Sequence, residues 1–459
     1  MSDQADNAFL TQPVPHLFMK TAVPIVVIML VNGLYNVVDA WFLGEFVGPD
    51  ALTAVTLMFP VQMMVFALSS IVSTGLSSML ARRLGAADKT GIYSCFTVAH
   101  ILGVVISGVV LTVFLISGET MVQSLADGVE DIAAMGYAYI VILVFASPIM
   151  FTLSIHLDVL RAEGALKVMT MVTLSSTVLN IAFNYIFIVI LEMGVVGSAY
   201  GTVVAQTLSL LFILLHYRFH SYGLKLGRFP WAVIKGDTQE MIALGLPASL
   251  NFLGVSLFTV ITVYGLQAWS VDDYEATIGA FGIITRLTTF AYLPLMGITM
   301  AFQTVVGHNF GAGDLKRTNH ILKYAMKTAF IYCALVEIAF ILTASEIGAL
   351  FVDSDTMIEE TGRILPYMMV AFISFGPTMV VAQFFQAIGD AKKAALFNLS
   401  RTYMFLIPFM LGLPFLFGEI GLWYARPAAE VGVLCLMAVV LLRSARKSGA
   451  RFGLFYNSP

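Results

Sequence analysis

The chain contains an internal repeat, because the pattern of its first half returns in its second half about 225 residues later. The segment 81–88 (ARRLGAAD) returns at 307–314 (GHNFGAGD). Three further sets of anchors keep nearly the same spacing: Pro24 with Pro247; Ala162, Gly164 and Lys167 with Ala387, Gly389 and Lys392; Gly197, Tyr200 and Ala205 with Gly421, Tyr424 and Ala429. The repeat predicts two lobes of similar fold.

The composition indicates an integral membrane protein. Apolar residues make up 59% of the chain and charged residues 11%, whereas soluble domains carry about 25% charged residues. The net charge of −4 comes mostly from short loops and gives no reason to expect a nucleic-acid partner. The acidic start of the chain lacks the basic region of a signal peptide, so we expect the first apolar segment to be retained. Cys95, Cys333 and Cys435 lie inside apolar segments, so no disulfide framework is expected.

Twelve apolar segments are long enough to cross a bilayer, which takes about 20 residues as a helix. They are 17–43, 52–80, 93–117, 134–157, 168–191, 194–217, 241–268, 277–305, 321–344, 363–387, 394–417 and 420–442. We therefore predict an all-α membrane protein with an N-terminal lobe at 1–217, a linker at 218–237 and a C-terminal lobe at 238–459. A duplicated membrane fold of this kind is typical of transporters.

The basic residues predict the orientation. With the N-terminus in the cytoplasm, 20 of the 24 Lys and Arg residues fall on the cytoplasmic side, and only Arg363 falls outside. We therefore expect both termini in the cytoplasm of a bacterial inner membrane. Since each half has six spans, both halves enter from the same side, and the predicted pseudo-two-fold axis runs along the membrane normal.

Several segments resemble the multidrug and toxic compound extrusion (MATE) family. They are LYNVVDAWFLG at 34–44, ALTAV at 51–55, LARRLGAADKT at 80–90 and LNIAFNYIFI at 179–188. The resemblance implies two six-helix bundles that export amphipathic, often cationic compounds in exchange for Na⁺ or H⁺. It implies no other cofactor, no nucleotide hydrolysis, no enzymatic activity and a functional monomer whose partners are small molecules and membrane lipids.

Asp39 is the main candidate for ion coupling. Only four acids lie in the spans or at their edges: Asp39, Asp158, Glu337 and Glu430. An ionisable residue in a span is costly and usually functional. Asn32, Asn36 and Asp39 share one face of the first helix, because they are spaced four and three residues apart. The alternative is that Asp39 only faces water near a helix end.

Two more spans offer polar pairs at the same spacing, Asn180 with Asn184 and Thr202 with Gln206. A carboxylate surrounded by amides and hydroxyls suits Na⁺, and a lone buried carboxyl equally suits a proton. The alternative is that the Asn residues only connect neighbouring helices by hydrogen bonds.

The chain departs from the family at several coupling positions. One branch typically carries an acid where Asn184 stands, and another carries acids where this chain has Val255 and Phe375. Asp39 is then the only carboxylate at a family coupling position, which favours H⁺ over Na⁺ and leaves the branch open.

The second half carries charges of its own. Arg426 and Glu430 have the spacing of an intrahelical ion pair and correspond in the repeat to Thr202 and Gln206. Arg286 and Glu337 lie at similar depth and are expected either to pair or to leave Glu337 as a second coupling carboxyl. Asp158, beside Arg161, is interpreted as structural.

A substrate cavity is expected beside the polar face of the first helix. Its candidate lining is Tyr35, Gln62, Met63 and Gln206, since Met adapts to varied ligands. Pro24 is a candidate hinge, because proline interrupts a helix. His100 and His156 lack the spacing of a metal site, and no metal is expected.

Two rival functions remain. A flippase for a lipid-linked precursor needs a strongly cationic cavity, whereas the few intramembrane Arg residues here mostly have acids nearby. A membrane-embedded enzyme needs a cluster of a nucleophile and a base or a metal site, and the sequence shows neither.

Overall fold

The computed structural model describes residues 7–127, 129–220, 224–269, 273–352, 354–448 and 451–455. Almost all of these residues are helical, and within these ranges the only β-pairing is an isolated bridge between Arg451 and Phe455. The predicted all-α class is confirmed.

The first half forms six spans, which we number along the chain. They are span 1, Val14–Phe46; span 2, Pro49–Gly85; span 3, Lys89–Leu125; span 4, Glu130–Phe145 with Ser147–Ala162; span 5, Leu166–Asn184 with the π-helix Tyr185–Ile190; and span 6, Val195–His220.

The second half repeats this order. It consists of span 7, Trp231–Ala268; span 8, Tyr274–Gly311; span 9, Leu315–Leu342; span 10, Asp355–Met369 with Phe372–Ala387; span 11, Ala391–Leu399 with the π-helix Ser400–Leu406 and the short helices Ile407–Gly412 and Pro414–Phe417; and span 12, Ile420–Ser448. Two short helices, Ala8–Thr11 and Ala344–Ala349, lie outside the spans.

The number of spans agrees with the sequence. In the described residues, ten helices are long and apolar enough to cross a membrane, and there are twelve when each of two bent pairs counts as one span. The bends are 49° in span 4 and 44° in span 10. The chain is a multi-pass membrane protein.

Helix ends differ from the sequence boundaries where polar residues extend a helix. Span 7 begins at Trp231, ten residues before its predicted start, so the predicted linker 218–237 is helical from Trp231 onward. A search for apolar runs misses this extension because it carries Lys235, Asp237 and Glu240.

The repeated loop signature has a conformational cause. Ala87 and Gly313 lie just after the ends of spans 2 and 8 and adopt the left-handed conformation, with φ of +54° and +79°. The next residue caps the following helix in both halves: the Asp88 carboxylate accepts from the Gly91 N–H, and the Asp314 carboxylate accepts from the Arg317 N–H. The spacing that is repeated in the two halves therefore specifies the end of one helix and the start of the next.

The described chain divides into two compact units whose boundaries lie inside helices. One unit is Val27–Ser249, and the other joins the chain up to Val26 to the chain from Leu250 onward. Both boundaries fall two or three residues after a proline, Pro24 in span 1 and Pro247 in span 7. The sequence analysis divides the lobes 1–217 and 238–459 at the polar linker between them. The two compact units of the structure divide instead within spans 1 and 7.

Ion pairs hold the start of span 7 within the Val27–Ser249 unit. The Arg83 guanidinium donates to both carboxylate oxygens of Asp237, with Nη2–Oδ1 at 2.5 Å and Nη1–Oδ2 at 2.9 Å. Arg82 donates to Glu240 at 2.7 Å. At Gly245, a Cβ would lie 1.9 Å from the backbone oxygen of Ile71, so spans 2 and 7 pack backbone to backbone.

The corresponding contacts in the other unit involve an imidazole ring and an amide. His308 and Asn309, which occupy the repeat positions of Arg82 and Arg83, contact the short N-terminal helix: the His308 ring stacks on Phe9 at 4.3 Å, and Asn309 Nδ2 donates to the Phe9 carbonyl at 3.1 Å. The same two positions of spans 2 and 8 therefore each hold a segment from the other half of the sequence, but by different chemistry.

Candidate functional site

The carboxylate of Asp39 lies within a hydrogen-bond network in the Val27–Ser249 unit. Its Oδ1 accepts from Asn184 Nδ2 at 2.7 Å and from Ser198 Oγ at 2.9 Å. Its Oδ2 makes no hydrogen bond within the described residues. The side chain is half-buried, so Asp39 does not simply face water. One oxygen is therefore held by spans 5 and 6, and the other is available to a proton or a cation.

A second group of polar atoms adjoins this carboxylate one turn away. Tyr35 Oη and Thr202 Oγ1 are 2.9 Å apart, and Asn180 Nδ2 donates to both, at 3.3 Å and 3.2 Å. Asn184 Nδ2 also donates to Asn180 Oδ1 at 3.3 Å. The network therefore runs continuously from Asp39 through both Asn residues to Thr202, as the shared spacing predicts.

Asn184 is the central residue of the network. It is fully buried, and its amide nitrogen lies between two oxygens, Asp39 Oδ1 and Asn180 Oδ1. Its own Oδ1 is buried with no hydrogen-bond partner in the described chain. A Cβ on Gly201 would lie 2.1 Å from this oxygen, so only glycine leaves room for it. The π-helix of span 5 begins at the next residue, and π-helices are frequent at functional sites.

Asn36 lies outside this network. Its side chain is exposed and donates to the Asn32 carbonyl at 3.0 Å. The i, i+4 spacing placed it correctly on the polar face, but its side chain turns back to its own helix.

A small cavity adjoins the network. Its polar lining comes from Tyr35, Asn36, Gln62, Thr202 and Gln206, and the remaining lining is apolar. Met63, the fourth predicted lining residue, is half-buried but is not part of this wall. Met58, on the same helix as Met63, is 1% exposed and packs in the apolar core.

The cavity has a volume of about 60 Å³. That is room for a few waters at about 10–15 Å³ each, whereas drug-sized pockets measure about 300–1,000 Å³. In this structure the cavity is therefore too small for a drug-sized substrate.

The charged cluster of the second half is arranged differently from the sequence prediction. Glu430 pairs with Arg401 of span 11, at 2.8 Å between Nε and Oε1, rather than with Arg426. The reason is tertiary, because Arg401 reaches the carboxylate from the neighbouring span. Arg401 also donates to Thr378 at 2.6 Å and lies 4.1 Å over the Phe375 ring.

Of the two alternatives for Arg286 and Glu337, the ion pair does not form among the described residues. Arg286 is exposed and makes no ion pair among the described residues. Glu337 instead accepts from the backbone N–H of Ile373 at 2.5 Å, where the second helix of span 10 begins. The break in span 10, with Ala371 at a φ of +73°, frees that N–H, and Glu337 caps it.

Asp158, which the sequence analysis interprets as structural, is buried. It pairs with Arg161 at 2.5 Å and accepts from Ser73. The paired charges explain its presence inside the bundle.

Two site residues escaped sequence reasoning. Ser198 precedes Thr202 by one helical turn and faces the same way, which is a signal that the spacing rule can use. Arg401 offered no such signal, because its partners Glu430 and Thr378 lie on other spans.

The fold and this polar site define a class: an all-α, duplicated multi-pass membrane protein with a carboxylate network inside one half. The MatE family model matches residues 24–186 and 247–411, one match in each half. The chain belongs to the MatE family, a family of transporters rather than enzymes.

The relatives agree with this assignment. The chain is 22% identical to "Probable multidrug resistance protein YoeA" of Bacillus subtilis, over 92% of this chain and 93% of the relative. It is 23% identical to "Multidrug export protein MepA" of Staphylococcus aureus, over 96% of each chain.

A solved structure shows the same fold. It is described as the outward-facing conformation of a multidrug resistance MATE family transporter of the MOP superfamily. The TM-score is 0.83 at 24% identity, with 93% of this chain and 95% of that chain covered.

Proposed function

We propose that this chain is a proton-coupled exporter of amphipathic, mainly cationic compounds. The observation that carries the proposal is Asp39, the one carboxylate on the polar face of span 1, held by Asn184 and Ser198 beside a polar cavity. A multidrug export relative matched over nearly its whole length supports the substrate class.

The hydrogen-bond geometry favours H⁺ over Na⁺. Na⁺ is a hard cation that binds oxygen ligands, and an N–H donor repels it. The Asn184 amide nitrogen occupies the position between Asp39 Oδ1 and Asn180 Oδ1 that a shared cation would take. A proton needs only Asp39 Oδ2, which has no hydrogen-bond partner in the described chain.

The position of the unit boundaries supports alternating access. Both boundaries lie within continuous helices, directly after Pro24 and Pro247. Proline removes a backbone hydrogen bond and weakens the helix there. We propose that these two places are the hinges of alternating access.

We further propose that the protein works as a monomer in a bacterial inner membrane with both termini in the cytoplasm. The asymmetry of Lys and Arg between the two sides supports this orientation. The partners are the exported small molecules and the surrounding lipids.

The deciding experiment is export of a fluorescent cation from proteoliposomes under separately imposed gradients. A pH gradient is expected to drive export, and a Na⁺ gradient of the same size at constant pH is expected to have little effect. Calorimetry on the purified protein supplies the counter-test: saturable Na⁺ binding that is lost in Asp39→Asn means that the coupling ion is Na⁺.

A further inference from the structure

We propose that the second half contains an anion-binding subsite at Arg426, which takes the carboxylate of an amphipathic, ring-containing substrate. The proposal rests on the proposed function and deepens it, because it assigns the residue that would bind a carboxylate on a substrate.

The first step is the charge balance of the cluster in spans 11 and 12. Arg401 and Arg426 are two cations, and Glu430, which is 5% exposed, is the only carboxylate in an ion pair with either of them among the described residues. Glu430 is already paired with Arg401. The second carboxylate oxygen of Glu430 has no hydrogen bond in the described chain. Even if this oxygen turned to Arg426, the single negative charge of Glu430 would balance only one of the two arginines.

The second step is that Arg401 is fixed and Arg426 is not. Arg401 is held by Glu430, by Thr378 and by the Phe375 ring. It also lies in the π-helix of span 11, a rare conformation that is frequent at functional sites. Arg426 makes no hydrogen bond or ion pair within the described residues, and its guanidinium lies 5.8 Å from the Phe258 ring.

The third step is that the fold does not require this charge. The repeat places Thr202 and Gln206 where the second half has Arg426 and Glu430. An unpaired cation in a membrane span is costly and usually marks a functional site. A ligand that brings one negative charge would balance the cluster.

The fourth step is the choice of ligand. A guanidinium presents a planar fork of donors that fits both oxygens of a carboxylate. Beside Arg426, the half-buried Phe258 offers an aromatic face, and it is backed by Phe281 at 5.8 Å, which contacts Trp423 at 6.0 Å. A carboxylate attached to an aromatic ring system fits both features.

The test compares two dyes that differ only at the carboxylate. Rhodamine 110 carries a free carboxylate, and rhodamine 123 is its methyl ester. Binding of each dye to the full-length protein in detergent is measured by fluorescence polarisation. In Arg426→Gln, the ratio of the Kd for rhodamine 110 to the Kd for rhodamine 123 is expected to rise about 10-fold, since one charge-assisted contact is lost.

Arg286→Gln is the matched control, because Arg286 is an intramembrane arginine outside the cluster. It is expected to leave the ratio unchanged, and Arg426→Lys is expected to restore part of it. Equal weakening of both dyes by Arg426→Gln, no weakening, or no binding of rhodamine 110 to the unmutated protein overturns the subsite. Dye binding needs no ion gradient, so it is measured independently of export. If Arg426→Gln weakens only rhodamine 110 binding and the unmutated protein exports no dye, the proposed function is rejected but the subsite is supported.

Discussion

Replacing Asp39 with Asn tests the proposed coupling most directly. Asn keeps an oxygen acceptor of the same shape, so the hydrogen bonds from Asn184 and Ser198 can both persist. The replaced oxygen, Oδ2, makes no hydrogen bond in the described chain. The substitution therefore removes the ability to gain and lose a proton while it preserves the geometry.

The expected effect on stability is small. A hydrogen bond to a charged group contributes about 1.5–3 kcal/mol and a neutral one about 0.5–1.5 kcal/mol. Two such bonds then lose about 2 kcal/mol together, relative to an ionised carboxylate. Removing a half-buried charge offsets part of this loss. We therefore expect Asp39→Asn to insert normally and to unfold close to the temperature of the unmutated protein.

The expected effect on export is complete loss. Dye efflux driven by a pH gradient in proteoliposomes should fall to the rate of empty liposomes. Asp50→Asn is the control, since Asp50 is an exposed acid at the start of span 2 and lies outside the network. Export by Asp39→Asn at the normal rate, with equal protein in the liposomes, would refute the reasoning.

Three further substitutions test the site and the topology. Asn184→Asp replaces the bridging amide by a second carboxylate next to Asp39. Because two carboxylates this close cannot both ionise without a counter-ion, calorimetry should detect Na⁺ binding that the unmutated protein lacks. If the variant binds no Na⁺, the proposed role of the amide is contradicted. Gly201→Ala should reduce efflux several-fold, because the new Cβ would lie 2.1 Å from Asn184 Oδ1. Gly108→Ala is the control and should export normally, because there is open space around the new Cβ. Equal effects of the two substitutions on efflux would count against the network. Lys225→Cys, in a version without other cysteines, should resist a membrane-impermeant maleimide added to intact cells, and labelling from outside would reverse the predicted orientation.

The sequence alone determined the class of protein and indicated where its candidate site lies. Hydropathy is a local property of the chain, so the apolar runs predicted the spans to within a few residues at most ends. Helical spacing is also local, and it placed Asn180 and Asn184 on the face that meets Asp39. The repeat also marked Asp88 and Asp314 as equivalent positions, but only the structure shows that each caps the following helix.

Only the tertiary structure decided which partners the charged residues take. The i, i+4 spacing permits a pair between Arg426 and Glu430, but Arg401 reaches Glu430 from the neighbouring span. The sequence also allowed Glu337 to pair with Arg286. The break in span 10 leaves the Ile373 N–H without a helical partner, and the Glu337 carboxylate accepts from it instead. A contact between spans depends on how the helices pack and on where each side chain reaches. The spacing of residues along one helix determines neither.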